Sequence, residues 1–134
     1  MNLTNQVIAT KENFMDFIKN YPANIPVVMI NIMKFKTTTA TGEAGKKAYM
    51  RYSKNVAPLL KGVGGRIIWS GIVNKTVIGD LADKPDMVAI VEYPSKQAFV
   101  NMATSPAYQA IKEDREISLE YGGLLASSTL MIAK

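Results

Sequence analysis

Arg115 follows Tyr108 by seven residues and Ile111 by four, so on a helix it shares the stripe that otherwise carries buried apolar groups. A guanidinium in such a place is costly unless paired. Its partner could be a substrate carboxylate or enolate, or it could be Glu92 or the C-terminal backbone of a neighbouring element. Glu92 closes the otherwise apolar stretch Met87–Tyr93, where a half-buried carboxylate is a candidate general base, a partner for Arg115, or a cap for a helix starting at Ser95. Asn31 interrupts the apolar run Pro26–Met33, and a buried amide needs a partner, either a ligand or a sheet-edge group. Tyr49, Tyr52 and Tyr108 stand at helical positions expected to face a sheet, and Trp69 lies in a strand-like stretch. Together these aromatics could line a pocket for a flat, partly aromatic ligand, or they could be plain core. The candidate catalytic residues are thus Glu92 and Arg115. The candidate ligand-binding set is Asn31, Tyr49, Tyr52, Trp69, Glu92, Tyr108 and Arg115.

The chain has no histidine and no cysteine, which removes Ser-His-Asp triads, thiolate nucleophiles and the usual zinc, copper and haem ligand sets. No metal site and no cofactor are expected. Any chemistry would run on carboxylates, Lys, Arg, Tyr and backbone dipoles. Without cysteine there is no disulfide framework. The N-terminal stretch lacks a basic segment followed by an apolar one, and the longest apolar run is too short to span a bilayer, so a cytoplasmic protein is expected.

Charge is unevenly placed. Residues 1–33 sum to zero, residues 34–66 carry eight basic side chains against Glu43 alone, and residues 67–134 carry six basic and eight acidic ones. The basic region comprises Lys34, Lys36, Lys46, Lys47, Arg51, Lys54, Lys61 and Arg66. It either attracts an anion or is a solvated helix face. No RGG tract, recognition-helix motif or RNP-type strand accompanies it, so nucleic acid is not an expected partner. With no apolar run long enough to span a bilayer, a membrane is not an expected partner either.

These residues must be carried by a framework legible in the hydrophobic pattern. Thr10 is placed to cap a helix over 11–20, ended by Tyr21-Pro22. Val27–Lys36 reads as a strand apolar on both faces, hence central, and 37–42 as an exposed small-polar connector. Gly45 to about Lys61 has helical periodicity, with Pro58 expected to kink or restart it near Val56. Arg66–Val73 reads as a second strand, turned by Asn74-Lys75 into a short return strand Thr76–Gly79. A third strand, Met87–Tyr93, precedes helices capped by Ser95 and Ser105-Pro106. Gly122-Gly123 is expected to precede a last strand over about 124–132. Without the first helix and the return strand, the order is β-α-β, β-α-β. That predicts an α+β ferredoxin-like split βαβ sandwich, an antiparallel sheet with helices on one face. Strands apolar on both faces want cover on the second face too, and a second copy supplies it: a homodimer through the sheet, closing an α/β barrel. A flavodoxin-like sheet is disfavoured, because no glycine-rich turn follows the first strand. The expected layout is one domain over 1–134, with 1–25 as a helical extension and 26–134 as the core.

Four blocks in this order carry a resemblance. They are Pro26-Val27-Val28-Met29-Ile30-Asn31 with Lys34-Phe35; Gly64-Gly65-Arg66 with Trp69-Ser70-Gly71; Val91-Glu92-Tyr93-Pro94-Ser95; and Ser105-Pro106-Ala107-Tyr108 with Arg115. Over about residues 26–125 the chain resembles the domain-of-unknown-function family DUF1330, within the dimeric α/β-barrel superfamily. The resemblance implies a homodimer whose sheets pack together, with a pocket in each subunit, and no particular activity. The wider superfamily includes cofactor-free oxygenases of phenolic substrates, lactone isomerases and haem enzymes. The haem members typically present an axial histidine, which this chain lacks.

Two functions follow as expectations. One is a cofactor-independent enzyme acting on an anionic or phenolic compound, with Glu92 or a tyrosinate as base and Arg115 and Asn31 stabilising an enolate. The other is a non-catalytic small-molecule-binding or structural homodimeric module, with Glu92 and Arg115 satisfying each other.

Overall fold

The computed structural model describes residues 7–132. Helix α1 (Lys11–Asn20) opens at Thr10, whose hydroxyl accepts from the Asn13 amide at 3.1 Å. A cap of this kind contributes about 1 kcal/mol. Strand β1 (Val27–Phe35) leads to α2 (Gly45–Gly62), and β2 (Arg66–Ile72) follows. Then come β3 (Met87–Tyr93), α3 (Lys96–Ala103), α4 (Pro106–Ser118) and β4 (Leu119–Ser127). Ser95 and Ser105 cap α3 and α4 as their sequence context predicts, each accepting from the amide three residues on. The four strands form one antiparallel sheet in the order β2-β3-β1-β4, which is the ferredoxin-like arrangement.

Strand alternation decides what each face carries. Val27, Met29 and Met33 of β1, with Ala89, Val91 and Tyr93 of β3, pack in two clusters against α1–α4. Their alternates are Val28, Ile30 and Ile32 on β1, and Val88, Ile90 and Glu92 on β3, which pair across the strands on the opposite face. Among the described residues no helix covers that face. Trp69 and Leu125 lie there too, 54 % and 43 % exposed. A bulge at Ile68 sets Trp69 opposite Ile90, and its ring lies over Gly71, where a Cβ would fall 2.4 Å from the indole. A contiguous exposed apolar surface of this kind is uncommon in a monomer.

The structure departs from the sequence reading in four places. The return strand is absent: residues 73–80 are irregular, and Val77 and Ile78 are 92 % and 96 % exposed. The Val73 amide still donates to Asp86 O, so the chain leaves the sheet only after the strand has run its length. The 3₁₀ turn Leu81–Asp83 then folds over the far end of the free face, where Tyr121 Oη donates to Asp83 O and Lys34 Nζ to Ala82 O. Pro58 does not restart the helix; α2 runs unbroken through it. The carbonyl that proline strips of a helical partner belongs to exposed Lys54, within reach of water. The connector 37–42 is not wholly exposed, because Thr39 is buried, its hydroxyl 3.0 Å from that of Thr41. Finally, β4 begins at Leu119 and includes Gly122 and Gly123, which pair with Met33 and Ile32.

Candidate functional site

Helices α2 and α4 cross the sheet side by side and bring three phenols together between helix and sheet. Tyr49 and Tyr52 are one turn apart on the buried side of α2; Tyr108 opens α4. The hydroxyls of Tyr52 and Tyr108 share a hydrogen bond of 2.8 Å, and their rings meet edge to face at 6.2 Å between centroids. Tyr49 packs on Tyr52 at 5.5 Å and on Phe35 at 5.3 Å. In a hydroxyl pair only one proton lies in the shared bond, so the other hydroxyl keeps its proton for a further acceptor.

Arg115 lies two turns beyond Tyr108 on the same side of α4, half-buried. Its Nη1 donates to Val7 O at 2.7 Å and its Nη2 to Gly122 O at 3.2 Å. Gly122 permits this approach, since a Cβ there would sit 2.9 Å from Nη2 and 2.5 Å from Leu119. Among the described residues the guanidinium meets carbonyls only and forms no ion pair.

Burial, first of all, raises the pKa of Tyr49, Tyr52 and Tyr93, while the Arg115 charge pulls Tyr49 and Tyr52 partly back. Tyr49 and Tyr52 are therefore neutral donors at physiological pH. The tyrosinate base entertained from sequence does not fit them.

The sequence-derived set is divided by the sheet. Tyr49, Tyr52, Tyr108 and Arg115 gather on the helix side. Asn31 also lies on that side, between the two core clusters, and its Nδ2 donates to Ala89 O at 3.3 Å and Met29 O at 3.5 Å. Glu92 and Trp69 lie on the free face instead. Glu92 is held by Arg66, with Nε donating at 3.0 Å, and not by Arg115. The register explains the correction: Arg66 is the cross-strand partner of Glu92, whereas Arg115 reaches β4 from the other side. Glu92, Asn31 and Arg115 thus do not converge on one reacting atom. Sequence reading missed Val7, which packs against the tyrosine cluster and offers its carbonyl to Arg115, and Gly122, whose missing side chain admits the guanidinium. The Gly122-Gly123 pair is the available signal for the second, although by composition it points to a strand boundary.

A model of the family described as "Domain of unknown function (DUF1330)" matches residues 42–126. The chain belongs to this family. Within the DUF1330 span lie α2, α4 and all of β4 but its last residue, with their tyrosines and Arg115; β1 with Asn31 precedes it. A protein of unknown function from Rhodopseudomonas palustris is similar at 30 % identity, covering 96 % of this chain and all of that one, with a TM-score of 0.91. A hydroxynitrile lyase from Passiflora edulis shares the fold at 14 % identity, over 83 % of this chain and 99 % of its own, with a TM-score of 0.60. A Bacteroides fragilis protein of unknown function, described as dimeric with a ferredoxin-like fold, matches at 12 % identity, over 78 % of this chain and 96 % of its own, with a TM-score of 0.53. No curated protein matches the sequence.

Proposed function

We propose that this DUF1330 protein is a homodimeric small-molecule-binding protein that takes an anion with an apolar, partly aromatic body between α2, α4 and the sheet. The observation that carries the reading is Arg115: a half-buried guanidinium beside neutral phenols, bonded to carbonyls and matched by no carboxylate among the described residues. A charge taken partly out of water is best compensated by an opposite charge, and a ligand carboxylate can replace the Val7 carbonyl at Nη1. The phenols then donate to ligand oxygens while their rings pack on its body. Binding is favoured over catalysis because the one carboxylate offered as a base, Glu92, lies across the sheet with Arg66.

In this reading residues 26–134 form the ferredoxin-like core of one domain, α1 is an addition to it, and the free sheet face docks a second copy. The apolar surface around Trp69, Ile90 and Leu125 supports that assembly, and the description of the Bacteroides fragilis relative as dimeric agrees with it.

The test is a thermal-unfolding series with small aromatic carboxylates and their neutral amides, on the wild type, Arg115→Gln and Tyr52→Phe. A carboxylate present at ~100 times its Kd stabilises by about 2.7 kcal/mol, several degrees in Tm, whereas its amide has no such effect. Arg115→Gln is expected to abolish the shift and Tyr52→Phe to reduce it, with native circular dichroism in both. A shift that survives in Arg115→Gln, or no shift with any carboxylate, contradicts the reading.

A further inference from the structure

The ligand reading leaves the basic region unused, and the structure gathers five of its eight cations on one helix. Helix α2 contains five basic residues and no acidic one, which equals the net charge of +5 of the whole chain. Arg51 is already engaged, donating to Glu43 and to Asp114 on α4. Lys46, Lys47, Lys54 and Lys61 are exposed and enter no ion pair among the described residues. At 3.6 residues per turn these four lie within an arc of about 100°, and Lys47, Lys54 and Lys61 form a row about 21 Å long. Met50, 56 % exposed, and Ala57 lie in the same arc.

This arrangement works against the helix that carries it. Lys46 and Lys47 occupy the first turn, where the helix dipole disfavours cations, and Lys47 and Arg51 are like charges one turn apart. A mixed-charge surface such as that of α4, with Lys112 near Glu116, avoids this cost. An unmixed one indicates an external anionic surface.

We infer, against the sequence expectation of no membrane partner, that the outer face of α2 docks on an anionic lipid bilayer. Charge complementarity requires a polyanion, and the remaining features select among polyanions. The arc holds no aromatic ring on which a base could stack and no unengaged arginine to fork onto phosphates. Flexible lysines flanking an exposed Met50 instead suit mobile headgroups over an apolar layer. No helix of the described residues is long and apolar enough to cross a membrane, so the contact is peripheral. The face lies on the helix side of the sheet and stays open when the other side meets a second copy.

The experiment is co-sedimentation of the full chain with phosphatidylcholine vesicles, with and without phosphatidylserine, at low and at physiological salt. Binding is expected only with phosphatidylserine and is expected to weaken with salt. The triple variant Lys47→Gln, Lys54→Gln, Lys61→Gln is expected to lose about 100-fold in partitioning, roughly fivefold per lysine. The charge-matched triple Lys11→Gln, Lys19→Gln, Lys75→Gln should keep most of it. Equal loss in both triples, equal binding to phosphatidylcholine alone, or binding to duplex DNA in place of vesicles would each overturn the inference.

Discussion

At the scale of single residues, Tyr49 and Tyr52 of the candidate site are phenols kept neutral by burial, as is Tyr93 in the neighbouring core cluster. Tyr49, Tyr52 and Tyr93 all have raised pKa values for that reason, while the unfolded chain releases the same protons near the ordinary 10.0. Above that pH the unfolded state holds fewer protons than the folded one, so the stability associated with these groups is complete below pH 10 and declines as pH rises beyond it. A spectrophotometric titration is therefore expected to lag behind six ordinary tyrosines near pH 10 and then to rise together with loss of circular dichroism. Smooth ionisation of all six in a folded protein would contradict the burial argument. The residue types of this cluster were legible in the sequence, because Tyr49, Tyr52, Tyr108 and Arg115 share a helical period. The partner of Glu92 was not: strand alternation shows that residues differ in face, but only the register with β2 reveals that Arg66 stands opposite.

At the scale of elements, the close approaches are made by glycines. Helix α2 starts where a Cβ on Gly45 would lie 2.3 Å from Lys36 O and 2.5 Å from Ser118 O, so the helix is seated directly on the backbone at the ends of β1 and α4. The Gly45 amide in turn donates to Lys36 O at 2.9 Å. Gly45→Ala must displace backbone rather than a pliable side chain, and is expected to cost about 2–3 kcal/mol. Gly62→Ala, which meets nothing within 4 Å, is expected to be neutral or to stabilise by up to about 1 kcal/mol. Urea midpoints with an unchanged slope would measure both. Equal effects would mean that α2 is not seated as described. Element positions were otherwise readable from caps and periodicity: the β3 bounds and the α1, α3 and α4 starts agree with the pattern. Two segments depart from their composition. Thr76–Gly79 has that of a strand but stays unpaired although β2 leaves its outer edge free. Gly122-Gly123 has that of a turn but serves as strand, where Arg115 and Leu119 occupy the space a side chain would need.

At the scale of the molecule, the governing feature is a sheet covered on one side only. On the other side Ile30, Ile32, Val88, Ile90, Trp69 and Leu125 form a surface whose exposure is unfavourable at roughly 25 cal/mol per Å2, the ordinary driving force for association. This was legible as strands apolar on both faces; what the pattern could not show is that the turn at 81–83 covers one end and leaves the centre open. In the proposed dimer, docking on that face leaves the lysine face of α2 exposed on the helix side. The decisive measurement is the mass in solution by sedimentation equilibrium at micromolar concentration, for the wild type and Ile90→Glu. The account expects twice 14.7 kDa for the wild type and 14.7 kDa for a still-folded variant; a wild type that sediments at 14.7 kDa would contradict it.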